Sequence, residues 1–155
     1  MKRIKPTLTG VDDDRADAFA RWRILALRGA RRQSGFVPRL SVVACDEINQ
    51  IAHLPNDLAW WEPPARHMRG IDAGLATEIA ARLLSDANGV PVLAVWTRAG
   101  LNDETDSDMA WWAAVQHGAA IAATSTPSLL VITRAGWRCL PHGSSRTWQR
   151  LRPTA

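Results

Sequence analysis

The residues best suited to chemistry are carboxylates gathered in one short polar segment, residues 102–108. Four acids fall there: Asp103, Glu104, Asp106 and Asp108. The segment follows an apolar run typical of a strand, and α/β proteins usually bind ligands at the carboxyl ends of parallel strands. Hard divalent cations prefer oxygen ligands. The segment therefore predicts either a divalent-metal-dependent hydrolase or a solvated loop whose acids stabilise the start of the next helix.

The histidines and cysteines form no familiar catalytic or metal-binding pattern. The histidines show none of the short spacings of zinc ligands, and the cysteines form no C-x-x-C pair. We expect both thiols to be buried and reduced. The residues therefore predict no metal and no cofactor, and they lean against an enzyme. The residues concerned are His53, His67, His117, His142, Cys45 and Cys139.

Charge is distributed unevenly along the 155 residues. Residues 1–40 hold ten Lys and Arg against four Asp, residues 41–108 hold four Arg against eleven acids, and residues 109–155 hold five Arg and no acid. Such basic ends favour an anionic partner. They predict a nucleic-acid contact through the N-terminal helix and the Arg-rich tail, unless the arginines form a solvated face. The candidates are Arg21, Arg23, Arg28, Arg31 and Arg32.

The pattern of apolar residues predicts one α/β domain with a mixed sheet flanked by helices. We expect helices at residues 15–31, 71–87 and 108–123, and a short helix carrying Leu58, Trp60 and Trp61. Strands are expected at 40–45, 90–96, 129–133 and 137–140, with a turn at 46–50 and a hairpin return at 51–54. Residues 90–133 read as a βαβ unit with parallel strands. Residues 1–39 are expected to form a basic arm and helix, 40–142 the domain, and 143–155 a loose tail.

The predicted faces of two helices follow from their spacing. In the first helix Phe19, Trp22, Ala26 and Gly29 should share one face. In the second, apolar residues recur every four positions and should be buried together. These are Ile71, Leu75, Ile79 and Leu83.

Tryptophan is unusually abundant, with eight Trp, two Phe and no Tyr. Neighbouring residues on a helix point about 100° apart. One member of each adjacent pair, Trp60-Trp61 and Trp111-Trp112, should therefore be at least partly exposed or at an interface. Because Trp is enriched at interaction hot spots, the composition predicts a homodimer or another protein partner.

The order of elements resembles the MPN/JAMM domain, particularly its bacterial RadC-like branch. In that family an apolar strand ends in H-x-H-P, a polar loop follows, and S-x-x-D opens the next helix. Two histidines and the aspartate bind zinc, and an upstream glutamate is the general base. Here the H-x-H-P position falls on Trp96-Thr97-Arg98-Ala99, and the S-x-x-D position falls on 105–108. Of the three ligands only Asp108 is present, and Pro38-Arg39 stands near the glutamate position.

The resemblance implies a shape more than an activity. Indole and guanidinium offer no lone pair to zinc, so we expect no zinc site and a pairing of Asp108 with Arg98 or with its helix N-terminus. The leading hypothesis is a non-catalytic, MPN-like protein-interaction module. Its former catalytic edge would form the partner surface through Trp96, Arg98, Asp108, Trp111 and Trp112.

No apolar stretch approaches the ~20 residues needed to span a bilayer. The sequence therefore predicts a cytoplasmic protein with no membrane contact.

Overall fold

The structure is a computed structural model, and it describes residues 11–30, 38–50, 55–63, 72–141 and 143–148; the side chains of residues 27–30 are not described. It is a single α/β domain with a mixed six-stranded sheet, as the sequence predicts. The helices are α1 (Asp13–Ala30), α2 (Cys45–Asn49), α3 (Ala73–Asp86) and α4 (Asp106–Ile121). The strands are β1 (Arg39–Ala44), β2 (Ala59–Trp61), β3 (Val92–Thr97), β4 (Leu129–Thr133), β5 (Gly136–Leu140) and β6 (Ser145–Thr147). In the sheet the strands lie in the order β2-β1-β3-β4-β5-β6.

The centre of the sheet is a parallel pair. β3 pairs with β4 in parallel, with Trp96 opposite Val131, and α4 connects them. Every residue of both strands is buried, as expected for strands covered on both faces. The predicted βαβ unit is confirmed. The remaining neighbours, β1 with β2 and β3, and β5 with β4 and β6, are antiparallel.

Each face of the sheet has its own apolar core. On one face α1 and α2 pack through residues such as Phe19, Ile24 and Ile48 against Leu130 and Trp137. On the other face α3 and α4 cover a core of leucine, valine, alanine and tryptophan side chains. Alternation along the strands separates the two cores, because successive side chains point to opposite faces.

Helices α3 and α4 lie in close contact along their lengths. A Cβ placed on Gly118 would lie 2.7 Å from the backbone nitrogen of Ala81, so the glycine allows the two backbones to approach. The first turns of both helices border one cleft, while Leu84 near the end of α3 and Thr124, three residues after the end of α4, border another. Both helix N-termini therefore lie at the same end of the domain as the carboxyl end of β3.

Several local predictions are wrong. The segment with Trp60 and Trp61 is the strand β2, not a helix: it pairs with β1, and Trp61 packs beneath α4. Residues 45–49 are a short helix rather than a turn. Ala26 is exposed on α1, and Leu75 is exposed on α3. Small residues fill the buried face of α3 instead: Ala76, Ala80 and Ala81 beside Leu83 and Leu84.

The described part of the predicted tail is attached to the sheet. Ser145–Thr147 forms β6 against β5, and Trp148 is buried in the core beneath α1. The predicted hairpin return at 51–54 and the helical position Ile71 lie outside the described residues. None of the helices described is both long and apolar enough to cross a membrane.

Candidate functional site

Arg98 organises the loop that leaves β3. Its backbone nitrogen extends the parallel ladder by donating to the Ile132 carbonyl at 3.0 Å. The guanidinium is buried, and its Nε and Nη2 donate to the two carboxylate oxygens of Asp108 at 2.7 and 2.8 Å. Nη1 donates to the carbonyls of Ala99 and Leu101, and Nη2 also donates to the carbonyl of Asp103. All five N–H donors of the guanidinium are thus used.

Asp108 serves the helix as well as the arginine. It is fully buried. Thr105 is the N-cap of α4: its hydroxyl accepts from the Asp108 backbone nitrogen, and the Asp108 carboxylate accepts from the Thr105 backbone nitrogen. This reciprocal capping box satisfies two amide donors that a helix start otherwise leaves unpaired. The sequence allowed Asp108 either to pair with Arg98 or to cap its helix, and it does both.

The residues at this position do not fit zinc. A zinc ligand must present an available lone pair, and Arg98 and Trp96 have none. The single carboxylate, Asp108, already accepts from a permanent cation. Among the residues that the structure describes, no three His, Cys, Asp or Glu side chains converge as metal ligands. Water activation by zinc therefore has no physical basis in this constellation.

Three indoles lie side by side next to the ion pair. The ring centroids of Trp96 and Trp111 are 5.3 Å apart, and those of Trp61 and Trp111 are 5.6 Å apart, both tilted. Trp96 and Trp111 are each 3% exposed, while Trp61 and Trp112 are half-buried. The indole nitrogen of Trp96 is buried and has no hydrogen-bond partner among the described residues; an unsatisfied buried neutral donor costs about 1–3 kcal/mol.

This burial corrects the predicted partner surface. Trp96, Arg98, Asp108 and Trp111 are buried, so of the five predicted residues Trp112 alone has a substantial exposed fraction. The expectation for the adjacent pairs is confirmed, because Trp60 is exposed beside Trp61 and Trp112 is more exposed than Trp111. Residues other than these five form most of the open surface at this end of the sheet.

A cleft of about 450 Å³ opens between α3 and α4 beside the buried indoles. Trp96 and Trp111 form its inner wall. Its sides are mostly alanine, and its polar members are Thr77, Asp106, Ser107 and His117. The alanines are Ala73 and Ala76 on α3, and Ala110, Ala113 and Ala114 on α4. The volume lies within the usual range of about 300–1,000 Å³ for ligand pockets. Sequence reasoning missed this cleft, because alanine carries no chemical signal.

The acidic segment is a structured loop rather than a cluster of ligands. Asn102 donates from its amide to the carbonyls of Trp137 and Arg146, which ties the loop to β5 and β6. Asp103, Glu104 and Asp106 are exposed, while Asp108 is buried in its ion pair. Of the four histidines His117 borders the cleft; His53, His67 and His142 lie outside the described residues.

Two of the arginines predicted to contact nucleic acid are engaged within the protein. Arg23 is buried and donates to both carboxylate oxygens of Asp57, at 3.0 and 2.6 Å. Arg21 donates to Asp17 at 2.8 Å and lies over the Trp148 ring. Arg23 is therefore not available to a nucleic acid. Arg31 and Arg32 lie outside the described residues, and the side chain of Arg28 is not described.

A second buried carboxylate, Asp17, was not foreseen. One of its oxygens accepts from the indole nitrogens of Trp137 and Trp148 at 2.8 and 2.9 Å, and the other pairs with Arg21. Burial raises the pKa of Asp17, but the hydrogen bonds from Arg21, Trp148 and Trp137 outweigh it, and the net pKa is lowered. An acid between Ala16 and Ala20 on an otherwise apolar face was the available signal.

Cys45 and Cys139 are both buried, as expected. Burial raises the pKa of the Cys139 thiol to about 12, and the nearby charge of Asp13 adds to the effect. Because the thiolate is the nucleophilic form, this thiol is poorly suited to nucleophilic chemistry.

Comparison with known proteins identifies no relative. No protein-family model, no curated protein and no solved structure matches the chain.

Proposed function

We propose that this chain is a non-catalytic protein-interaction module of MPN/JAMM-like type, which receives its partner in the cleft between α3 and α4. The observation that carries the proposal is the closed Arg98–Asp108 pair next to an open apolar cleft. The position that would hold the reacting metal in a zinc hydrolase is filled. The binding surface beside it remains accessible.

The arrangement of the ion pair supports a non-catalytic role. A hydrolase of this type needs a metal-bound water whose pKa is lowered to about 7. Here a guanidinium with every donor satisfied stands where such a metal would need ligands. No described group in the cleft pairs a nucleophile with a base: Ser107 and His117 are on the same helix ten residues apart and both are exposed.

The cleft supports binding because it exposes apolar surface that the fold leaves uncovered. Ala73, Ala110 and Ala113 are exposed on its walls, and each lies on a well-formed helix. Binding sites held on rigid helices need little reorganisation when a partner arrives. The predicted partner surface is thus retained in location, but its contact residues move from the buried tryptophans to the helix walls.

The test compares two substitutions on one helix. Ala110→Phe fills the cleft, whereas Ala120→Phe places the same side chain at an exposed position of α4 outside the cleft. Wild-type and A120F baits are expected to retain the same partner from native lysate, and A110F is expected to lose it. A partner retained equally by all three baits would refute the proposal, provided that circular dichroism shows all three folded.

The metal-free part of the proposal has its own measurement. Elemental analysis of the purified protein is expected to find no stoichiometric zinc, and peptidase assays are expected to show no activity. About one tightly bound zinc per chain would refute the non-catalytic role.

A further inference from the structure

Acidic residues lie at and beside the lining of the cleft. Asp106 lines it, Asp103 and Glu104 come three and two residues before Asp106, and Asp72 directly precedes the lining residue Ala73. All four carboxylates are exposed. No Lys or Arg belongs to the described lining, and the nearby Arg98 is neutralised by Asp108.

The helix N-termini do not reverse this charge. Each helix start carries the equivalent of about half a positive charge, so α3 and α4 together contribute about one unit of positive charge. The four exposed carboxylates carry four negative charges, so the described residues at and beside the cleft are negative in sum. A phosphate-bearing partner is therefore repelled here, and a cationic one is attracted.

The shape of the cleft indicates an elongated occupant. Its lining on α4 runs from Asp106 to His117, which corresponds to about 16 Å at 1.5 Å per residue. The α4 residues recur at helical spacing, at 106, 110, 113 and 117, and face Ala73, Ala76 and Thr77 on α3. The wall on α4 is about three turns long and the wall on α3 about one turn. A groove that is apolar within and carries Asp106 at the start of its longer wall matches the helix-in-groove mode of peptide recognition.

We infer that the partner presents an amphipathic, basic helix, whose apolar face lies between α3 and α4 while its Lys or Arg side chains meet the exposed carboxylates. This inference rests on the proposed function and specifies the chemistry of the partner. The exposed carboxylates favour a basic segment, because opposite charges attract. The α4 wall of about 16 Å favours a segment of several helical turns.

The experiment uses two synthetic peptides of 14 residues that contain no Trp. Both carry Leu at helical spacing; one has Lys at the remaining positions and the other has Glu. Binding is followed by calorimetry and by the fluorescence of the protein, since Trp96 and Trp111 wall the cleft. The Lys peptide is expected to bind at least about tenfold more tightly at low salt, and the difference should shrink as salt is added.

Two matched pairs of variants locate the binding. Ala110→Phe should abolish binding of the Lys peptide and Ala120→Phe should not. The triple variant D103N/E104Q/D106N should weaken binding by about tenfold, because it removes three exposed charges that each contribute a modest attraction. The triple variant D46N/E47Q/D86N removes the same number of acids away from the cleft and should leave binding unchanged.

Equal binding of the Lys and Glu peptides, or binding that A110F leaves intact, would overturn the inference. The proposed function fails separately. If capture of the natural partner depends on Ala110 but the peptides do not discriminate by charge, the interaction module stands and the basic helix is rejected. If the peptides discriminate but capture ignores Ala110, the acidic groove stands and the proposed function is rejected.

Discussion

The same four residues, Thr-Arg-Ala-Gly, come at the end of both parallel strands of the sheet, yet the two turns differ in almost every respect. After β3, Arg98 is buried and uses all its donors. After β4, Arg134 is exposed and pairs with no carboxylate in the described part of the chain. The two turns border one shallow depression at the carboxyl ends of β3 and β4.

The difference arises from the residues that come after each turn. Ten residues after Arg98 the chain supplies Asp108 in the first turn of a helix. No acid occurs anywhere after Asp108, so Arg134 has no carboxylate on the segment that continues from it. Its turn closes at once into the hairpin of β4 and β5, where the Thr133 hydroxyl accepts from the Ala135 backbone nitrogen. A local motif therefore fixes neither burial nor role, and a partner ten residues away determines both.

The largest expected effect is the loss of Arg98. Replacing it with Met leaves Asp108 buried without its counter-charge, and removal of one partner of a buried pair costs about 3–5 kcal/mol. Arg134→Met removes an exposed side chain and should change the free energy of unfolding by about 0.5 kcal/mol or less. Urea denaturation of both variants measures the comparison.

A double substitution sharpens the comparison between the two turns. In R98M/D108L neither charge remains, so the stability should recover by a part of the loss seen in R98M, less the contribution of the capping box. Equal destabilisation by R98M and R134M would contradict the structural difference between the turns.

The sequence predicted the elements around Arg98 and its pairing with Asp108 because that information is local, although it placed both residues on an exposed partner surface. The apolar run of β3, the polar loop and the capping residues of α4 are contiguous, and the chemistry of guanidinium pointed to Asp108. The prediction for β2 was wrong because its strand is stabilised by distant residues: Trp61 contacts Trp111, and Trp60 lies over Arg39. A Trp-rich segment before two prolines carries no sign of such partners.

Asp17 shows the same limitation from the other side of the sheet. Its indole donors lie 120 and 131 residues further along the chain. No short stretch of sequence therefore includes both the carboxylate and its partners.

The second prediction asks whether Asp17 is as important as Asp108. Asp17→Ala leaves two buried indole donors without an acceptor, and each unsatisfied buried group costs about 1–3 kcal/mol. A loss of about 2–6 kcal/mol is expected from the two donors, measured by urea denaturation. Ala18→Gly is the neighbouring control at an exposed position of α1, with a loss of about 1 kcal/mol from helix propensity alone.

The pH dependence of the same variant gives an independent check. Because the pKa of Asp17 is lowered in the folded protein from 3.8, its contribution is complete above the unfolded pKa and is lost as the pH falls through the folded pKa. The wild type should therefore lose stability below about pH 4, and D17A should lose less over the same range. An unchanged acid limb in D17A would show that the carboxylate is not ionised in the way the geometry implies.

The third prediction compares the glycines that end the two turns. A Cβ on Gly136 would overlap the Arg146 carbonyl oxygen, whereas one on Gly100 would lie 3.1 Å from the Arg98 guanidinium. Both glycines have positive φ, which costs an alanine about 1–3 kcal/mol in either place. Gly136→Ala adds a backbone clash, so it should be the more destabilising by about 1–2 kcal/mol, of the order seen for overpacking. Equal thermal midpoints for the two variants would contradict the tighter closure of the second turn.

The smallest expected effect concerns nucleic acid, and it compares Arg98, which is engaged within the protein, with N-terminal arginines that lie outside the described residues. If the basic N-terminal segment contacts DNA, binding should be weak and independent of sequence. Deleting residues 1–40 is not a usable test, because α1 supplies Phe19, Ile24 and Asp17 to the core.

We expect Arg31→Gln/Arg32→Gln to reduce the slope of log K against log salt by up to about 0.9 for each phosphate that the arginines no longer neutralise. Arg98→Lys should leave the slope unchanged, because every donor of the Arg98 guanidinium is already hydrogen-bonded within the protein. Measured by fluorescence anisotropy over a range of salt concentrations, an unaltered slope in the double variant would remove the N-terminal arginines from any nucleic-acid contact. Arg134, exposed on a segment without acids, would then be the next arginine to replace.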